Sequence, residues 1–262
     1  MAGALRHSIM TAMSGRETTS TVTRGLRLSR VFLHLLRGLL IVALLFPFFS
    51  RARCRQEIRK WSSALMHVLD VHVHVHDAPV RERPLMLVSN HVSWLDIFAL
   101  NAAIPMRFVA KSEIRRWPFI GWLSAKTGTL FIERGRRSDT ARVNRLIAEA
   151  MLDGDVVAVF PEGTTTDGTQ VLRFHSSLLQ PALIAGAVVQ PVALRFTHAD
   201  GSLCAEAAFD GDKTLWQSML QIIAMRRIEA HLYFLPLLPG DVPHRRALAD
   251  AAHAAIASRL SR

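Results

Sequence analysis

The stretch PLMLVSNHVSWLD, residues 84–96, decides the fold. Leu85, Met86, Leu87 and Val88 form an apolar run without polar alternation, the pattern of a strand buried on both faces. Ser89 and Asn90 break the run, and a helical pattern opens near Ser93. Strand, short loop and helix together are the repeating unit of parallel sheets. The same alternation continues downstream. It predicts strands over Arg107–Ala110, Thr129–Ile132, Val156–Phe160, Val188–Phe196 and Ile228–Phe234. It predicts helices over Ser93–Asn101, Phe119–Thr127, Ser138–Leu152, Ser176–Ala185, Leu215–Arg226 and Val242–Leu260. The fold class is therefore α/β, a mostly parallel sheet flanked by helices, over residues 71–262. In such sheets the chemistry collects in loops beyond the strand C-terminal ends.

Upstream lies a different kind of sequence. VFLHLLRGLLIVALLFPFF (31–49) is apolar except for His34 and Arg37. A full bilayer span needs about 20 apolar residues, so the stretch is long enough for a borderline span or an interfacial helix. Next, Ile58, Trp61, Leu65, Val68 and Leu69 recur at helical spacing behind Arg51, Arg53, Arg55, Arg59 and Lys60. A basic helix with one apolar face and a Trp suits the headgroup layer. Residues 26–70 thus read as a membrane-anchoring helical pair, and residues 1–25, polar and rich in Ser and Thr, as a flexible segment. The region ahead of the apolar stretch is too long for a cleaved signal peptide, and no small-residue cleavage site follows.

Composition agrees with this division. The 262 residues carry 32 Lys plus Arg against 21 Asp plus Glu, a net charge of +11, yet half are hydrophobic and the mean hydropathy is +0.21. The first 80 residues hold 11 of those cations and 4 of the acids, so charge and oil concentrate together. This excludes disorder, and 14 Gly with 11 Pro exclude collagen-like chains. Two cysteines, Cys54 and Cys204, exclude a disulfide scaffold and a cysteine-based zinc cluster. A strong positive charge asks for nucleic acid or an anionic bilayer. Nucleic-acid binders interleave aromatics with Lys and Arg, whereas here the aromatics sit in apolar stretches and Tyr occurs once.

Four features carry possible chemistry. DVHVHVHD (70–77) alternates as a strand with His72, His74 and His76 on one face. Three histidines can bind a metal, but no carboxylate is placed beside them, so they read as exposed strand histidines. His91 and Asp96 follow the strand at 85–89, and a carboxylate on one imidazole nitrogen raises the basicity of the other. With 12 His and 12 Asp in the chain, chance supplies about one such spacing in every second chain of this composition, so the pair alone decides nothing. GTLFIERGRR (128–137) brings Arg134 to a strand end, where a planar guanidinium suits phosphate. VFPEGTTTDG (159–168) brings Glu162, Gly163 and Thr164 to another, with Gly163 allowing close backbone approach to a ligand.

In this order the blocks resemble the glycerolipid acyltransferase family, in particular its bacterial enzymes that acylate lysophosphatidate. The family's first block stands as Asn90-His91 with Asp96, its second as Gly128, Phe131 and Arg134, its third as Phe160-Pro161-Glu162-Gly163-Thr164, and its fourth as the apolar run onto Pro191. FVAKSEIRRWPFIGW (108–122) is similar to the family's stretch between the first two blocks. The resemblance covers roughly residues 84–196, and the apolar pair before it is similar to the family's anchor. It implies acyl transfer from acyl-CoA or acyl carrier protein to a lysolipid hydroxyl, with no cofactor and no metal. His91 would be the general base and Asp96 its orienter. Arg134, helped by Lys111, would hold the acceptor's anionic headgroup, and Glu162, Gly163 and Thr164 would position the acceptor. It also implies a membrane location, with the catalytic domain on the cytoplasmic side of a bacterial inner membrane. One position departs: many members that use lysophosphatidate have Arg after the third block, where this chain has Thr165. That form resembles a subgroup that makes ornithine lipids, and lyso-ornithine lipid is the alternative acceptor. A basic nucleic-acid-binding protein and a lipid-binding protein without catalysis are the alternatives of another class. No G-x-S-x-G elbow surrounds any serine, which disfavours a serine hydrolase.

Overall fold

The structure, a computed structural model, describes residues 18–132, 137–239, 242 and 244–261. Its centre is β2 (Leu85–Ser89), all five residues of which are buried. Leu85 and Leu87 face one apolar layer, and Met86 and Val88 face the other, as the unalternating run requires. Around it stand β1 (Val71–His76), β3 (Arg107–Lys111), β4 (Leu130–Ile132), β5 (Val156–Val159), β6 (Val188–Thr197) and β7 (Ile228–Phe234). The seven strands are ordered β1-β7-β6-β2-β5-β3-β4. β6, β2, β5, β3 and β4 are mutually parallel. β7 runs antiparallel to β6, and β1 runs parallel to β7. The sheet is therefore a five-stranded parallel block with a reversed pair on one edge.

The layer on the Leu85–Leu87 side contains Leu65 and Met66 of α2 (Arg51–Val68), Leu95 and Leu100 of α3 (Leu95–Ala103), and Ile222 of α7 (Leu215–Ala224). The opposite layer contains Val143 and Ile147 of α5 (Arg137–Leu152), Ala182 of α6 (Gln180–Ala185), and Ala249 and Ile256 of α8 (Arg245–Leu260). α4 (Ile120–Lys126) joins β3 to β4. Parallel crossovers are right-handed. β2 to β3 and β3 to β4 step toward the same edge of the sheet.

The N-terminal helix α1 spans Thr21–Leu40, with Ser20 as its cap. It continues through a wider turn over Ile41–Leu45 and a tight one over Phe46–Phe48 that contains Pro47. Ser50 then caps α2. The pair is antiparallel and locked at its middle. His34 stacks on Trp61 with ring centres 4.5 Å apart, and Trp61 Nε1 donates to the His34 carbonyl at 3.2 Å. A Cβ at Gly38 would stand 2.4 Å from Trp61 Nε1, so only glycine permits the approach. Arg27, buried, bonds to Asp70 and to the carbonyl of Ile223, which ties α1 to the α/β layers.

Two expectations change here. Residues 1–17 of the expected flexible segment lie outside the described residues, but 18–25 are built into the fold: Thr19 N–H donates to the Ala224 carbonyl at 2.8 Å and α1 starts at Thr21. The basic start of α2 does not stand bare for headgroups. Arg51 pairs with Asp153, Arg55 with Asp155, and Arg53 and Lys60 with Glu57, while Arg59 donates to the Ala102 carbonyl at 3.2 Å.

Candidate active site

The site begins where β2 ends. Asn90 donates to the Leu194 carbonyl at 2.9 Å and accepts from Leu194 N–H at 2.8 Å, so its side chain pairs with β6 where the β2 backbone turns away. His91 is thereby delivered to the C-terminal edge of the parallel block. The first turn of α3 brings Asp96 back to it. One oxygen, Asp96 Oδ2, accepts from His91 Nδ1 at 2.6 Å, Val92 N–H at 2.8 Å and Ser93 N–H at 3.0 Å. Asp96 is fully buried, whereas the His91 side chain remains 20% exposed. An ionised carboxylate can only accept, so Nδ1 carries a proton, and in the neutral imidazole the lone pair is on Nε2. The imidazole lies flat on Phe160, with ring centres 4.0 Å apart, and Phe160 stacks in turn on Phe108. The ring thus has a defined plane as well as a defined tautomer. Helix α3 starts at Leu95, later than the expected Ser93, because the Asp96 carboxylate holds the Val92 and Ser93 N–H groups in a turn.

The third loop wraps the first. Glu162 is buried, and its two oxygens accept from His91 N–H and Leu172 N–H, both at 2.7 Å. Burial pushes the Glu162 carboxyl above its ordinary range, against the lowering effect of those two hydrogen bonds. Thr166 N–H adds a bond to the His91 carbonyl at 2.9 Å. Glu162 therefore sets the backbone under His91, a job that its loop sequence does not announce. Gly163 takes φ of +70°, the left-handed region that favours glycine, and its N–H donates to the Phe160 carbonyl at 3.1 Å. Thr164 is exposed beside it. Thr165 donates its hydroxyl to the Phe209 carbonyl.

Lys111 is the exposed last residue of β3, at the same edge of the parallel block. Arg134 lies outside the described residues, as do Glu133, Gly135 and Arg136; β4 ends at Ile132. Beside β4, Arg115, Arg116 and Arg142 line a cavity of about 330 Å³ with Ser112, Thr129 and Phe131. Arg142 had no signal in the sequence beyond helical spacing, and Asn90 and Phe160 were legible only as motif letters. Among the described residues, Ser93 Oγ and Asp96 Oδ1 are buried without a hydrogen-bond partner.

Among the described residues, one group of donors that could hold a metal lies outside the His91–Asp96 pair. His198, Cys204 and Glu206 follow β6, and one ligand atom from each lies within 4.8 Å of the others. Burial pushes the Cys204 thiol up to about 12. The strand histidines are not bare, contrary to their sequence reading. His72 Nε2 meets Asp70 at 3.1 Å and His74 Nε2 meets Glu229 at 2.6 Å, the latter across from β1 to β7.

The acyltransferase family profile matches residues 70–195. A lyso-ornithine lipid O-acyltransferase of Pseudomonas aeruginosa is 39% identical over 203 residues, covering 77% of this chain and 78% of the relative. A 1-acyl-sn-glycerol-3-phosphate acyltransferase of Neisseria meningitidis is 36% identical over 172 residues, covering 65% and 67%. The crystal structure of the 1-acyl-sn-glycerophosphate (LPA) acyltransferase PlsC of Thermotoga maritima superposes with a TM-score of 0.64 at 20% identity, over 90% of this chain and 96% of that one. At that identity the likeness speaks for the fold: an α/β core behind N-terminal helices.

Proposed function

The chain belongs to the acyltransferase family, and we propose that it moves an acyl chain from an acyl thioester to the free hydroxyl of a lysolipid, first of all lysophosphatidate to phosphatidate in phospholipid synthesis. One observation carries this reading. His91, its side chain 20% exposed at the end of β2, is bonded through Nδ1 to a fully buried carboxylate.

A neutral alcohol attacks poorly, so a base must take its proton as the bond forms. His91 Nε2 receives the acceptor's hydroxyl proton while the oxygen attacks the thioester carbon. Asp96 holds the ring and stabilises the imidazolium. The tetrahedral intermediate collapses with loss of the thiolate, which takes the proton back from His91. Gly163 N–H is already bonded to Phe160, so Thr164 N–H, next in the turn, is the donor assigned to the oxyanion. Glu162 keeps Gly163 and Thr164 in register with His91 through the backbone. Arg134 and Lys111 meet the acceptor's anionic headgroup. The thioester supplies the activated group, and the scheme calls on no cofactor or metal. The donor is acyl-CoA or acyl carrier protein.

The α1–α2 pair is assigned to membrane attachment. Thr21–Phe48 is long and apolar enough to cross a bilayer by length and composition, and Phe32, Leu33, Leu44 and Phe48 are exposed along it. Thioester donors are cytosolic, which puts the catalytic domain on the cytoplasmic side of the inner membrane.

A lyso-ornithine lipid is the second reading of the acceptor, and one residue favours it. Thr165 stands where a guanidinium would serve a phosphate, and its hydroxyl is committed to Phe209. Transfer of a radiolabelled acyl group from acyl-CoA and from acyl carrier protein to a panel of lysolipids tests both. Turnover on lysophosphatidate, exceeding that on lyso-ornithine lipid, is expected. The reverse order replaces the acceptor, and free fatty acid formed without any acceptor overturns the transferase reading.

A further inference from the structure

Between β3 and β4 the chain reads KSEIRRWPFIGWLSAK (111–126), and its apolar residues point the wrong way for a solvated crossover. Trp117 is 45% exposed, Phe119 75%, Ile120 40% and Trp122 40%. The backbone holds them there. Ile120 N–H donates to the Pro118 carbonyl at 2.6 Å, closing a three-residue turn. Phe119, at its centre, has φ of +60° and ψ of −50°. That turn is strained for any side chain, and strain of this kind is held where it serves a task. The turn is also rigid. A Cβ on Gly121 would stand 2.2 Å from the Arg115 carbonyl oxygen, so the start of α4 is seated directly on the backbone of residues 112–116. The aromatic side chains therefore have no route inward.

The charge around them is one-sided. Lys111, Arg115, Arg116 and Lys126 surround a single acid, Glu113. Among the described residues none of these four cations is in an ion pair, and Arg115 lies over the Phe131 ring. The basic start of α2 is the opposite case, since each of its cations has a protein partner. The free positive charge of this region lies at the aromatic turn.

We propose that Trp117–Trp122 is a second bilayer contact, which seats its aromatic side chains in the interfacial layer of an anionic membrane while Arg115, Arg116 and Lys126 meet lipid headgroups. The inference rests on the membrane reading of α1. Aromatic rings with polar ends favour the interface, and the isolated chain leaves the Phe119 ring largely in water. The contact adjoins Lys111 and β4, at the edge where the acceptor headgroup is assigned. A lysolipid could then reach His91 without leaving the bilayer.

The test uses the full chain with Cys54→Ser and one fluorescent label that reports polarity. The label is placed by Phe119→Cys, by Phe32→Cys on α1, or by Glu149→Cys on the exposed side of α5 at the other face. Equimolar phosphatidylglycerol and phosphatidylcholine vesicles are added, with and without chain-labelled quenching lipid. Blue shift and quenching at 32 and 119, with neither at 149, are expected. A response at 32 with position 119 behaving like 149 overturns the second contact and leaves the anchor standing. Silence at both 32 and 119 overturns the membrane reading and this inference with it. In a second arm, Trp117→Ser with Phe119→Ser should raise KM for a vesicle-embedded acceptor by roughly tenfold and leave turnover of a short-chain, monomeric acceptor unchanged. An equal loss on both acceptors contradicts a bilayer role.

Discussion

His91 and Asp96 stand 2.6 Å apart at the end of β2, and His74 and Glu229 stand 2.6 Å apart across β1 and β7. The two pairs have the same chemistry and different surroundings. Asp96 is fully buried and takes two backbone N–H groups besides the imidazole. Glu229 is shared with Arg227, and His74 is 42% exposed. His91 lies on Phe160, and among the described residues only Asp96 is bonded to its ring. His74 belongs to a ladder in which His231 stacks at 4.9 Å, His76 stacks on Tyr233 at 4.2 Å, and Arg259 covers Tyr233 at 3.6 Å. The parallel block ends its loops around His91, whereas β1 and β7 run the other way at the sheet edge. Both carboxylates are buried, so burial does not separate the pairs; on the proposed reading the base is the histidine whose carboxylate has no competing cation and on which neighbouring loops converge. The other pair is a rung of the sheet.

The comparison can be broken most sharply at the carboxylates. Asp96→Asn should lower kcat by about 10³–10⁴-fold, because an amide no longer dictates the imidazole tautomer; Glu229→Gln, assayed beside it, should leave kcat unchanged. Similar losses in both would erase the distinction. A smaller effect is expected of Arg134→Ala, roughly 10–100-fold in KM for an anionic acceptor with kcat largely kept, the worth of a charged hydrogen bond. Steady-state kinetics on lysophosphatidate checks it, and an unchanged KM removes Arg134 from the site. Glu162→Gln sharpens what lies beneath His91. It replaces one accepting oxygen by a donor facing an N–H, so thermal unfolding should lose about 1.5–3 kcal/mol, and turnover should fall with the displaced His91 backbone.

The smallest effect belongs to the ladder. Burial holds His76 and His231 below the ordinary histidine range, with Arg259 and His74 adding to it for His76, and His74 and His76 for His231. Both rings are therefore neutral in the fold where an unfolded chain would begin to bind protons. Stability is full above the unfolded histidine pKa of about 6.5 and declines as pH falls through it. Tm should drop between about pH 7.5 and 5.5, and His76→Gln should flatten that slope. A Tm independent of pH across this window contradicts the buried, neutral ladder.

Much of this was legible in the residues. Leu85–Ser89 and Ile228–Phe234 are strands at the predicted limits, because apolar runs bounded by turns mark buried strands. His72, His74 and His76 do share a face. Their partner Glu229 was not legible, since it lies 155 residues from His74 and is brought there by strand register alone. The reversal of β7 against β6 left no trace in composition either. Glu162 could be seen as a loop carboxylate but not as a brace, for its two N–H partners sit at positions 91 and 172. His34 read as a flaw in an apolar helix, and the structure makes it the stacking partner of Trp61.

On the proposed reading, placement and not pairing makes His91 the base. The direct measurement is acyl transfer from thioester to lysolipid by purified His91→Ala and His74→Ala, each with its Tm. His91→Ala should lose transfer by at least about 10²–10⁴-fold with Tm kept, and His74→Ala should keep transfer. Full activity in His91→Ala, or an equal loss in His74→Ala at unchanged Tm, would contradict the account.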